Sequence, residues 1–243
     1  MQKRIILVTG AAGAMGSAIA ERLCKDGFHL ALWDKDEVNL DKVATRYNGA
    51  RSWALDQTDE AAVRKAAKEV QEMGPVYGLV NTIGWTNGTK FIDEEANYWR
   101  KLIEINYMAA LYVTHALLPG MVERQVGKIV YITSDAAKVG TGGEAVYAGA
   151  KAAEVAFAKS LARETARYNI NVNCTAPGPT DSPLMRDVEA QNPEMIRRMT
   201  KMVPFRRLGT PEEQADVVAF LVSEDSRWIT GQVLSVSGGL TMV

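Results

Sequence analysis

Short apolar runs alternate with longer stretches of helical periodicity along almost the whole chain, and that alternation limits the available folds more than any other feature. The strand-like runs cover 4–9, 28–34, 51–55, 77–81, 128–134, 170–176 and 232–236, and the helical patterns cover 15–26, 36–47, 59–73, 95–124, 146–168 and 211–224. Repeated strand–helix–strand units predict a parallel sheet covered by helices on both faces. The runs are continuously apolar rather than alternating, as strands buried on two faces must be. The reading is therefore α/β: one doubly wound Rossmann-type domain spanning 1–243, with a seven-stranded parallel sheet. One departure follows the sixth strand. A long segment between Pro177 and Pro211 carries a helical pattern over 193–201 and reads as a flap, at about 180–210, over the sheet edge.

Composition removes several classes of function. A formal net charge of −1 over 243 residues gives no general pull toward nucleic acid or an anionic membrane surface. Cys24 and Cys174 lie far apart and only His29 and His115 are present, so neither a disulfide framework nor a metal cluster is expected. No apolar run has the length of a membrane span, and the apolar run near the N-terminus is too short for a signal peptide. A soluble, cytoplasmic protein is the expectation.

The first strand runs into Thr9-Gly10-Ala11-Ala12-Gly13-Ala14-Met15-Gly16-Ser17, where a helix begins. Glycines in such a turn let backbone N–H groups approach a pyrophosphate at the helix N-terminus. The spacing fits neither GxGxxG nor the P-loop pattern, and a plain tight turn is the competing reading. The second strand ends on Asp34, where a carboxylate can accept from both ribose hydroxyls of an adenosine and repel a 2′-phosphate. Loop and acid together predict dinucleotide binding, with NAD favoured over NADP; Lys35 next door tempers the preference.

A third cluster carries reaction chemistry. Tyr147 and Lys151 stand at i and i+4 of a helical pattern and so share a face. An ammonium beside a phenol stabilises the phenolate and pulls its pKa toward the range useful for proton transfer. Ser134, at the end of an apolar strand, offers a hydroxyl for the same substrate oxygen. A surface Tyr and Lys on an ordinary helix would show the same spacing.

These residues together resemble the short-chain dehydrogenase/reductase family, and the match runs over essentially the whole chain. Its TGxxxGxG motif is met by Thr9, Gly10 and Gly16, with Ala14 in place of the middle glycine and Gly13 expected to keep the turn permissive. The resemblance implies that Gly10, Gly13, Met15 and Gly16 hold the cofactor phosphates and that Asp56 with Gln57 meets the adenine. It places Asn81 and Gly84 in the turn after the fourth strand, and Pro177, Gly178 and Thr180 around the nicotinamide. It further implies that Tyr147 exchanges the substrate proton, Lys151 tunes the tyrosine and binds the nicotinamide ribose, Ser134 orients the substrate, and Asn106 holds a water leading to solvent. The competing readings are an Asn106 that bonds a freed carbonyl at a helix kink and a Ser134 that caps a strand end. The family usually assembles as homotetramers. The small residues of 147–159 and the long helix at 95–124 would form that contact here, although alanine's helix preference explains them equally well.

For the substrate the sequence offers hints. The stretches 118–124, 134–147 and 229–241 are similar to the 2-hydroxycyclohexanecarboxyl-CoA dehydrogenase branch, which predicts a hydroxyacyl-CoA or another anionic or cyclic hydroxy substrate. A 3-oxoacyl carrier-protein reductase or a neutral secondary-alcohol dehydrogenase is the alternative, and a catalytically silent dinucleotide sensor or scaffold is the non-enzymatic one. The flap arginines, Arg197 and Arg198 among them, form a basic cluster able to receive phosphates or a carboxylate, unless they pair with nearby acids. Glu144 either lines the substrate pocket or complements a helix dipole, and Trp85 either walls the substrate or packs under the flap.

Overall fold

The structure, a computed structural model, describes residues 4–243. Seven parallel strands, β1 (Ile5–Thr9), β2 (His29–Asp34), β3 (Arg51–Ala54), β4 (Val76–Asn81), β5 (Gly127–Ile132), β6 (Ile170–Pro177) and β7 (Val233–Val236), lie in the order β3-β2-β1-β4-β5-β6-β7. The order reverses between β1 and β4. In such sheets the crevice outside the carboxyl ends of the strands at that reversal is where ligands bind.

Period-two alternation within the strands builds two cores. Ile5 and Leu7 face one layer, made by α3 (Glu60–Glu72), α5 (Ala109–Arg124) and α7 (Ala145–Thr165). Ile6 and Val8 face the other, made by α1 (Ala14–Lys25), α2 (Glu37–Ala44) and α10 (Pro211–Val222). A strand flanked in this way is apolar at every position, which is why the central runs were legible as strands. Edge strand β3 lacks that double cover and is largely open to solvent.

Two local features depart from the sequence reading. The helix expected over 95–124 is interrupted: α4 (Ala96–Ile103) passes into a wider i→i+5 turn over Glu104–Met108 before α5 begins. Asn106 lies inside that turn and its amide donates to the Leu102 carbonyl at 2.9 Å, so a side chain occupies a place in the helical ladder. Short α6 (Ala136–Val139) also follows β5. The flap holds two helices, α8 (Pro183–Gln191) and α9 (Pro193–Met202), where the periodicity suggested one. Each begins at a polar residue followed by proline: the Ser182 hydroxyl accepts from Met185 N at 3.2 Å, and Asn192 Oδ1 accepts from Met195 N at 3.1 Å. Among the described residues no helix is long and apolar enough to cross a membrane, and no group of three or more potential metal ligands occurs.

Candidate active site

A cleft of about 920 Å³ opens at the carboxyl ends of the strands. Its floor is the β1–α1 turn. Gly10 has φ +63°, and a Cβ there would stand 2.5 Å from the Thr82 hydroxyl. At Gly16 a Cβ would fall 2.1 Å from the Gly10 carbonyl oxygen, so α1 packs onto the turn only because the position is bare. Gly13 differs from expectation. Its φ of −71° is ordinary, and it serves as the residue that opens α1 rather than as a left-handed hinge. The first turn of α1 carries no acidic residue, and its N–H groups at Ala14, Met15 and Gly16 precede any intrahelical acceptor. That is a cradle for an anion.

Asp34 stands at the cleft edge, held by two backbone donors: Ala12 N to Oδ2 at 2.9 Å and Asp36 N to Oδ1 at 3.0 Å. Each carboxylate oxygen keeps a further acceptor direction. Asp56 accepts from the Thr58 backbone and hydroxyl at 2.9 and 2.8 Å, and these bonds hold its carboxyl below the ordinary range. Beside it Gln57 Oε1 is buried with no partner, a polar atom that a ligand amine would satisfy. On the opposite side Pro177, Gly178 and Thr180 line the cleft, with the Thr180 hydroxyl donating to the Gly178 carbonyl at 3.0 Å. A bare cradle at a helix N-terminus, an acid at the end of β2 and an orphaned amide oxygen fit an adenine dinucleotide.

The reactive cluster separates into two depths. Ser134 and Tyr147 line the cleft. Lys151 does not: it is 1 % exposed, and its three ammonium protons go to the Ile83 carbonyl (2.9 Å), the Ile132 carbonyl (2.9 Å) and Glu154 Oε2 (3.1 Å). Nor do Asn81 and Asn106 line it. Asn81 accepts from the Thr9 hydroxyl at 2.8 Å and donates to Glu154 Oε1 at 3.1 Å. Asn106 clasps Trp85, accepting from its N–H at 2.9 Å and donating to its carbonyl at 2.8 Å. Its side chain therefore fixes the wall that Trp85 forms, and Gly84 separates it from Lys151.

Tyr147 was expected to sit below its ordinary pKa, and the balance falls the other way. Burial pushes the phenol up, outweighing the pull of Lys151 and of hydrogen bonding with Ser134, while Glu144 and Glu154 push it further. Glu144 begins α7 without making a side-chain cap, and it faces the cleft, where burial raises its carboxyl. Trp85 also faces the cleft, edge-on to Tyr98 and with Lys101 Nζ 4.0 Å from its ring centroid.

The flap arginines are not in the site. Arg197 and Arg198 both pair with Glu194, at 3.4 and 3.2 Å, with side chains 79 % and 78 % exposed. The reason is rotational: α9 buries Ile196 and turns Met199 and Met202 to the cleft, so residues one and two positions after Ile196 point to solvent. The apolar wall made by Met185, Met199, Met202 and Leu240 was missed in sequence. Glu154 was missed as well, although its position three residues after Lys151 on the same helical face was visible.

Fold, phosphate cradle and paired Ser134–Tyr147 define a dinucleotide-dependent oxidoreductase. The family model described as Enoyl-(Acyl carrier protein) reductase matches residues 10–241. The 3-oxoacyl-(acyl-carrier-protein) reductase FabG of Escherichia coli (strain K12) is 35% identical over 243 residues, covering 99% of this chain and 98% of its own. The acetoacetyl-CoA reductase of Acinetobacter sp. (strain RA3849) is 33% identical over 248 residues, covering 99% of both. A crystal structure of an actinorhodin polyketide ketoreductase variant with NADPH superposes with a TM-score of 0.94 at 31% identity, over 98% of this chain and 97% of that one. The chain belongs to the short-chain dehydrogenase/reductase family and is an NAD(P)-dependent oxidoreductase.

Proposed function

We propose that the protein interconverts a 3-oxoacyl thioester, carried on coenzyme A or an acyl carrier protein, and its 3-hydroxy form. The observation that carries the reading is the placing of Ser134 and Tyr147 in one cleft between the dinucleotide cradle and the Met185–Met199–Met202 wall. Relatives named as 3-oxoacyl-carrier-protein and acetoacetyl-CoA reductases support a linear 3-oxoacyl substrate over the cyclic hydroxyacyl-CoA that three sequence stretches suggested. When bound, the nicotinamide supplies or removes the hydride at the substrate carbon. The protein handles the oxygen. In the reducing direction the Tyr147 hydroxyl gives its proton to the carbonyl oxygen, and the resulting phenolate is stabilised by the ammonium of Lys151. Ser134 donates to the same oxygen and fixes its position. The upward push of burial suits Tyr147 to the role of acid, because it keeps the phenol protonated until the substrate needs the proton.

The methionines and Leu240 form an apolar wall suited to an alkyl chain, and Lys101 over the Trp85 ring offers a cation to the phosphate-bearing arm of a thioester carrier. Glu144 lines the cleft with its carboxyl raised by burial and is placed to hydrogen-bond a polar group of the substrate. Gly10, Gly13, Met15 and Gly16 hold the cofactor phosphates, Asp56 and Gln57 the adenine, and Pro177, Gly178 and Thr180 the nicotinamide side. Asp34 supports NAD over NADP, since its carboxylate repels a 2′-phosphate, although Lys35 also lines the cleft.

The test is hydride transfer followed by NADH and NADPH absorbance with 3-oxoacyl thioesters, cyclic hydroxyacyl-CoA and neutral ketones in one panel. Preference for 3-oxoacyl thioesters by at least tenfold in kcat/KM is expected. Turnover of neutral ketones alone would sink the assignment. The small-residue outer face of α7, with Ala145, Gly149 and Ala156 exposed, is proposed to join further copies into a homotetramer. Light scattering at micromolar concentration checks it, and a monomer there rules it out.

A further inference from the structure

Beneath the cleft lies a carboxylate that the proton transfer, as described, does not use. Glu154 is fully buried, on the face of α7 that carries Tyr147 and Lys151 and further along the helix than either. Burying a charged carboxylate is costly unless partners compensate it, and here every partner belongs to the relay or the cofactor turn. One oxygen holds the Lys151 ammonium at 3.1 Å and the other accepts from Asn81 at 3.1 Å. Asn81 in turn receives the Thr9 hydroxyl, and the Thr9 carbonyl receives the Thr82 hydroxyl at 2.6 Å, directly against Gly10. A chain of hydrogen bonds therefore joins the relay lysine to the turn that cradles the phosphates.

We infer that Glu154 is a positioning residue of the proton relay, which fixes the Lys151 ammonium and offsets part of its charge at the Tyr147 hydroxyl. The inference rests on the reading of Tyr147 as the proton-exchanging group. Tyr147, Lys151 and Glu154 follow at i, i+4 and i+7 along one face of α7. The tyrosine thus meets a cation one turn away and an anion roughly 10 Å away along the axis. The nearer cation dominates, but the anion weakens it and pushes the phenol up, in the direction found for Tyr147. Burial pushes the Glu154 carboxyl itself upward, while Lys151 and Asn81 hold it down.

Other groups facing the pair are too few to mask the effect. Asn81 comes from β4, Tyr131 from β5 and Cys174 from β6. The last two are themselves pushed up, chiefly by burial, and so stay neutral. Lys151 and Glu154 remain as the opposed charges acting on Tyr147 from behind, with Glu144 in front.

The experiment is the pH dependence of kcat/KM for 3-oxoacyl reduction in wild type, Glu154→Gln and Glu154→Asp. Gln is of the same size and still offers Lys151 an oxygen, and an amide flip at Asn81 restores the remaining bond. Reduction needs Tyr147 protonated, so the alkaline limb reports its proton loss. Removing the anion should move that limb to lower pH by about one unit, from Coulomb's law at roughly 10 Å with an effective dielectric of about 20. Glu154→Asp draws the carboxylate back from Lys151 and should move it the same way by less, which keeps the test alive if the Gln variant does not fold. A tyrosinate absorbance titration, taken as the difference between each protein and its Tyr147→Phe partner, should show the same displacement without turnover. A merely structural role would lower kcat or Tm and leave the limb in place. An unmoved limb, or one moved upward, overturns the inference. If Tyr147→Phe keeps activity, the underlying reading of the relay fails instead, and the two failures are told apart.

Discussion

Around the Gly10–Gly16 turn the backbone itself builds the site, whereas along the flap helix α9 only the side chains do. In the turn, two positions exclude a Cβ on steric grounds, so residue identity and three-dimensional form are tied together. On α9, Arg197 and Arg198 are free to point anywhere their helix turns them, and it turns them to solvent against Glu194. The difference teaches which residues can be assigned a role from sequence. The steric necessity at Gly16 arises inside the turn, against the Gly10 carbonyl, and at Gly10 the positive φ adds a backbone one, while a charge on a helix means nothing until the helix is rotated into place.

Four substitutions press on that contrast. The largest effect lies between the two regions, on α7: Tyr147→Phe should lower kcat by at least about 10²-fold while leaving dinucleotide affinity within about twofold, because only a proton donor is removed. Steady-state kinetics with cofactor binding by fluorescence checks it, and wild-type kcat would refute the relay. Next comes Gly16→Ala, whose Cβ meets the Gly10 carbonyl at 2.1 Å and must displace α1 or the turn. Cofactor affinity should fall roughly tenfold or more, with a loss of about 1–3 kcal/mol in stability. A variant with unchanged affinity and Tm would show that the turn yields freely.

Asp34→Ala should have a moderate effect, weakening NAD about tenfold and reducing discrimination against NADP. Equal loss for both cofactors would mean that Asp34 only braces the turn through Ala12 and Asp36. The smallest effect is expected on the flap. Replacing Arg197 and Arg198 together by Ala should change KM for a CoA thioester by less than about twofold and stability by less than about 0.5 kcal/mol, since exposed ion pairs contribute little. A KM rise confined to CoA esters would restore the arginines to substrate binding and break the comparison.

Much of the fold was legible because strands covered on both faces betray themselves by unbroken apolar runs. Boundaries shifted by a residue or two at the open ends, where that signal fades. Of the wide turn at Glu104–Met108, the sequence offered only a helix kink where Asn106 bonds a freed carbonyl, as one reading of that residue; its grip on Trp85, far away in sequence, was not legible. The flap helix that the periodicity did not show, α8, did have a local signal in Ser182-Pro183, a cap followed by proline at the first helical position. Spacing put Lys151 one helical turn from Tyr147 on α7. Its ion pair with Glu154 lies within α7 and was readable at i+3, whereas its depth and its two carbonyl partners from the ends of β4 and β5 emerge only when three elements meet.

By itself the sequence determined the parallel sheet, the bare turn at its switch point, the acid closing β2 and the shared face of Tyr147 and Lys151. Each left a pattern readable along the chain: unbroken apolar runs, glycines at fixed spacing in a turn, an acid at a strand end, or 3.6 residues per turn. Only the tertiary structure decided which residues reach the cleft and which stand behind it. It put Ser134 and Tyr147 at the surface of the cavity, drew Asn81, Asn106 and Lys151 under its wall, and sent Arg197 and Arg198 away. The physical reason is that helical spacing fixes relative direction along one element, while absolute rotation, depth and partner are set by what the element packs against.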